Sequence, residues 1–151
     1  MIKHKFQGAG FSIDIPNKCQ NITCYTFLLP TDKQFTPYIT IQSEKFDHTP
    51  NLESIVDEQE KKIQDNSSDY QLVNRIKGKH AGNNATIVTS EWGSGASRIC
   101  QRKVYLLKNI RNTTRMYTIN CTDLASNFAI SQPMMNEMIR TIKLDDNQIF
   151  N

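Results

Sequence analysis

Apolar and polar residues alternate through Phe11-Ser-Ile-Asp-Ile-Pro16, with Phe11, Ile13 and Ile15 on one side and Ser12 and Asp14 on the other. Side chains of an extended chain point alternately to opposite faces, so this is the pattern of a half-buried strand. Pro16 lacks the N–H that a ladder needs and ends the strand. The run Tyr25-Thr-Phe-Leu-Leu-Pro30 ends in the same way. Tyr38-Ile-Thr-Ile-Gln-Ser43 predicts a third strand, with Ile39 and Ile41 on one face.

The period then changes. Thr49-Pro50-Asn51 supplies a capping side chain and a proline that the first helical position tolerates. Leu52, Ile55, Val56, Gln59 and Ile63 follow at helical spacing, which predicts an amphipathic helix over 52–65 with Gln59 inside its apolar stripe. Asp57–Lys61 and Glu58–Lys62 are spaced as i,i+4 pairs on its wet face. Further strands are predicted at 70–77, 85–92, 99–108 and 116–122, separated by turn-forming stretches at 79–84, 93–97 and 111–114. Ser131 is placed to cap a last helix running through Ile142, with Met134, Met135, Met138, Ile139 and Ile142 on its inner side. Strands, a helix, a run of antiparallel strands and a second helix imply an α+β fold: one antiparallel sheet with helices packed on one face.

A chain of 151 residues is read as a single domain, residues 1–151. Only 38% of it is hydrophobic, and it contains no apolar run of about 18 residues, so no membrane insertion is expected. The first strand begins within about ten residues of Met1, and no apolar stretch follows the basic start; the expectation is a cytoplasmic protein. The net charge of +3 gathers in the second half, at Arg98, Arg102, Lys103, Lys108, Arg111 and Arg115. Such a cluster could meet phosphates, but no nucleic-acid module accompanies it, so a solvated basic hairpin and no nucleic-acid partner are expected.

Candidate chemistry is sparse. Cys19, Cys24, Cys100 and Cys121 lack Cys-x-x-Cys spacing, and His4, His48 and His80 stand in polar, turn-like surroundings, so neither a metal site nor a cofactor is expected. The cysteines read as buried free thiols. Gly93-Ser-Gly95 precedes a strand and has no Lys-Ser/Thr after it, which makes it turn chemistry and not a phosphate loop. A catalytic triad assembles in space and leaves no necessary sequence spacing, yet no nucleophile elbow or metal-ligand pair is present. The reading is a binding protein with no catalytic residues. Gln59 and Gln101 are the odd positions, because a buried amide must find hydrogen-bond partners.

These segments also carry a resemblance. The Ile-x-Ile-Pro16 strand, Phe27-Leu-Leu-Pro30, the helix with Glu58-Gln59-Glu60, Gln101-Arg-Lys-Val-Tyr-Leu-Leu107 and Thr118-Ile-Asn-Cys-Thr122 together resemble the DUF1795 or DcrB-like family over nearly the whole chain. The resemblance implies a Mog1/PsbP-like α/β fold. Within that family the chain is similar to the Eag chaperones of bacterial type VI secretion. This implies a homodimer that shelters the N-terminal transmembrane helices of effectors and, through the effector, reaches the VgrG spike. Gln59 and Gln101 would then match polar groove positions, with Ile22, Cys24, Thr26, Leu28, Ile39 and Ile41 in the groove walls. Cys24 and Thr26 stand where relatives often carry larger aliphatics. The alternatives are a DcrB-like envelope-associated binding protein of unknown ligand and, by fold analogy alone, a Ran-type GTPase-binding module.

Overall fold

The computed structural model describes residues 3–8, 10–16 and 22–144; Cys19 lies outside them. A hairpin of β1 (Lys3–Gly8) and β2 (Phe11–Pro16) forms a two-stranded sheet of its own. The alternation at 11–16 thus becomes a strand, while β1 has no comparable sequence signal. The remaining strands are β3 (Thr23–Leu28), β4 (Tyr38–Phe46), β5 (Gln71–His80), β6 (Asn83–Trp92), β7 (Ile99–Ile110) and β8 (Thr113–Leu124). They build one antiparallel sheet in the order β3-β4-β8-β7-β6-β5. Helix α1 (Leu52–Asn66) connects β4 to β5, and α2 (Phe128–Arg140) follows β8.

The α+β class holds, and every strand predicted from 23 onward is present. The predicted loop at 79–84 shrinks to Ala81-Gly82, both at positive φ, as a two-residue hairpin requires. The caps divide: Asn51 Oδ1 accepts from Ser54 N at the start of α1. Ser131 does not cap α2, which begins three residues earlier because Phe128 is drawn into the core. Its hydroxyl donates instead to Asp123 Oδ2 at 2.7 Å.

The helices do not share a face. Register puts Ala85 opposite Leu106 and Ile119 opposite Val104, and these side chains pack with Phe128, Met135 and Ile139 of α2. Positions of opposite parity on the same strands, Val88 and Tyr105, pack with Val56 and Leu52 of α1. Successive residues of a strand face opposite ways, so α1 and α2 lie on opposite sides of the sheet. Sequence order alone does not specify the side to which a crossover turns, which is why the one-face expectation fails.

The two cores differ in kind. The α2 side gathers Leu29, Ile39, Cys100, Val104, Leu106, Ile119 and Cys121, among others, into one apolar cluster. Burial there pushes the thiols up, Cys100 to about 11 and Cys121 to about 12, so both are protonated thiols at neutral pH. The apolar cluster on the α1 side is small, Val56, Val88 and Tyr105 with Leu52 partly covered beside them, and polar residues such as Thr86 and Ser90 are buried around it. Part of the basic cluster is not the solvated face expected of it, although Arg111 is exposed. Lys103 is 5% exposed, Arg115 is buried and donates to Ser43 Oγ at 3.0 Å, and Arg98 pairs with Glu91 at 3.0 Å.

Candidate functional site

On the α1 side, register aligns Thr40, Gln42 and Glu44 of β4 with Asn120, Thr118 and Met116 of β8, and continues through Lys103 and Tyr105 of β7. Helix α1 stands over β6 and β7; beside it Gln42, Thr118 and Asn120 stay half-buried, while Met116 and Thr122 are buried. A groove of about 290 Å³ results, walled by α1 at Gln59 and by Ile22 on the far side. Its floor is polar: Asn120 Nδ2 donates to Thr40 Oγ1 at 3.0 Å, while Asn120 Oδ1 is enclosed without a partner. An unsatisfied amide oxygen of this kind is uncommon inside a protein and marks a place where a donor would be welcome.

Beneath α1 the polar character becomes ionic. Glu60 is 8% exposed and occupies the inward position four residues after Val56. Its Oε1 accepts from Lys103 Nζ at 3.2 Å and from Tyr105 Oη at 2.9 Å, and its Oε2 accepts from Tyr70 Oη at 2.9 Å. Burial pushes Tyr70 up to about 12, and its hydrogen bond to Glu60 adds to that; Tyr105 is raised by the same two causes. Burial lowers Lys103, opposed by the Glu60 carboxylate beside it. Toward the start of the helix, Glu53 accepts from Thr86 Oγ1 at 2.6 Å and pairs with Arg75, which also meets Asp57 at 2.6 Å. The Thr86 hydroxyl, then Arg75 and Lys77, hold Glu53 below the usual carboxylate range against the opposing effect of burial. On the far flank of α1 a second hollow, about 560 Å³, opens among Glu60, Tyr70, Leu72, Arg75 and Val88.

The structure brings most of the sequence-predicted site residues to this one face. Gln59 is exposed at the groove wall and not in the buried stripe, since the helix turns Val56 and Glu60 inward. Gln101 lies on the same face of β7 as Lys103, and its Nε2 donates to Thr122 Oγ1 at 2.9 Å. Ile22 lines the groove, and Cys24, Thr26 and Leu28 of the edge strand β3 continue its face, Leu28 being 70% exposed. Ile39 and Ile41 are a correction. They point to the α2 side, where Ile39 is 1% exposed in the apolar core, and the groove positions of β4 are Thr40 and Gln42.

Sequence reasoning missed Glu60, Lys103, Tyr105, Gln42 and Asn120. A signal existed for the first three. Leu52, Val56 and Glu60 are spaced i, i+4, i+8, and Lys103 alternates in phase with Tyr105. Among the described residues no three His, Cys, Asp or Glu side chains converge as a metal set would. No helix among them is long and apolar enough to cross a membrane.

The chain belongs to the DcrB family, whose model matches residues 11–141. Solved structures that share its fold include PA94 from Pseudomonas aeruginosa, a protein of unknown function. It superposes with a TM-score of 0.68 at 14% identity, over 95% of this chain and 97% of that one. LpqN of Mycobacterium tuberculosis, involved in cell envelope biogenesis, gives a TM-score of 0.60 at 10% identity, over 83% and 84% of the two chains. Cyanobacterial PsbP from Synechocystis is more distant, at 0.43 and 8% identity over 89% and 87%. At these identities the likeness to PA94 and LpqN speaks for the fold alone. No curated protein matches the sequence.

Proposed function

We propose that this member of the DcrB family is a non-enzymatic cytoplasmic chaperone. In this reading it shelters the N-terminal transmembrane helices of type VI secretion effectors on the α1 side of its sheet. It works as a homodimer and, through the bound effector, assists loading onto the VgrG spike. The observation that carries the reading is the juxtaposition on one open sheet face of apolar Ile22 and Leu28 with a floor of amides and hydroxyls. A transmembrane helix is apolar all round and aggregates in water unless it is covered. Inside a bilayer such helices also meet neighbours through side-chain hydrogen bonds, and Gln59, Gln42, Thr118 and Asn120 offer donors and acceptors of that kind. The family resemblance supplies the identity of the client.

Co-expression with an effector's N-terminal apolar segment, followed by pull-down and sizing, tests this. The expected result is a complex that Gln59→Leu weakens while thermal unfolding is unchanged; Gln101→Leu should act in the same direction. Failure to retain any such segment would sink the reading. It would favour the second one, an envelope-associated binding protein of unidentified ligand, which family membership and the fold shared with LpqN support.

A further inference from the structure

Helix α1 is attached to the sheet differently from α2. It encloses one apolar residue completely, Val56, with Leu52 partly covered beside it. Its remaining hold is ionic and polar. Glu53 faces Thr86 of β6 and Arg75 and Lys77 of β5; Asp57 faces Arg75; Glu60 faces Lys103 and Tyr105 of β7 and Tyr70 at the entrance to β5. Every one of these acids points from the helix, and every cation from the sheet. Hollows flank the helix on both sides, about 290 Å³ toward β4 and about 560 Å³ toward β5. Tyr105 and Lys103 line the first, Val88 and Arg75 the second, and Glu60 stands between them.

We propose that α1 is a flap held shut by charge, and that lifting it joins the two hollows into one trough across the sheet face. Salt acts first on the Glu53–Asp57–Arg75 end, because those groups are the more exposed and screening is strongest there. The Glu60–Lys103 pair is shielded and yields last, after the outer contacts have been lost. Lifting uncovers Val88 and Tyr105, which adds apolar wall to a groove that otherwise has a polar floor. An occupant that touches Lys103 or Tyr105 competes with Glu60 for the same side chains, so groove occupancy and flap position bias one another. The trough's use for an apolar helix rests on the chaperone reading; the movement itself does not.

Amide hydrogen exchange of the full chain reads the movement. Between about 0.05 and about 1 M salt, amides of residues 52–66 should exchange about tenfold faster while those of α2 stay as they were. Asp57→Asn, at an exposed position, should reproduce this at low salt, and Glu53→Gln gives an independent check. Equal protection of the two helices in all conditions would overturn the flap. At constant salt, a fluorescent Leu/Ala peptide of about 20 residues should associate faster with Asp57→Asn than with wild type. Unchanged association beside faster α1 exchange would overturn the gating of the groove. A peptide that binds neither protein would overturn the sheltering reading and leave the flap to be judged by exchange alone.

Discussion

The two faces of one sheet are finished by opposite means. On the α2 side, Phe128, Met135 and Ile139 enter an apolar cluster built from four strands and the Leu29 segment. On the α1 side, the helix seats Val56 and then relies on Glu53, Asp57 and Glu60. Apolar contact is non-directional and excludes water, so the hold of the α2 cluster depends little on salt, although hollows of about 200 and 410 Å³ open beside α2 as well. Ion pairs need geometry and lose strength to screening, so the hold of α1 answers to salt in a way that the apolar cluster does not. A sheet that must be stable and must also receive something can divide those tasks between its faces.

The largest test of that division is Glu60→Ala, which leaves the Lys103 ammonium buried without its partner. The expected loss is about 3–5 kcal/mol by urea unfolding, whereas Glu60→Met combined with Lys103→Met should recover most of it. A double variant as unstable as the single one would mean that charge compensation is not what the pair provides. Next in size, Ile39→Ala should cost about 2–5 kcal/mol through a cavity on the α2 side, with no change in what the groove retains. Loss of groove binding in that variant would break the separation of the faces.

A smaller effect concerns pH. Glu53 is held below the usual carboxylate range by Thr86, Arg75 and Lys77. A carboxyl lowered in the folded state contributes stability above its unfolded value and loses it as pH falls through the folded one. Unfolding midpoints measured from about pH 6 down to about pH 3 should therefore fall in wild type. Glu53→Gln should flatten part of that slope, and a parallel slope would show that the Thr86 and Arg75 contacts do not hold the carboxylate. The smallest changes belong to the glutamines. Gln101→Leu removes the bond to Thr122 and should cost about 1 kcal/mol. Gln59→Leu, exposed at the wall, should stay within about 0.5 kcal/mol.

The amino-acid sequence by itself determined the strands from β2 onward, the helix read over 52–65, the α+β class and the family. Period-two and period-3.6 patterns are local, and burial of one face reinforces them along a whole element. It also carried Gln59, Gln101, Ile22 and the outward row of β3 to positions that do share a face. Only the tertiary structure decided that Ile39 and Ile41 serve the core, because alternation shows that two isoleucines share a side and not which side is covered. The same holds for α1 and α2: an amphipathic stripe demands an apolar surface but does not choose between the two that a sheet offers. Glu60 and Lys103 were hidden for a related reason. Each reads as a solvated charge on its own segment, and only the approach of α1 to β7 makes them a buried pair.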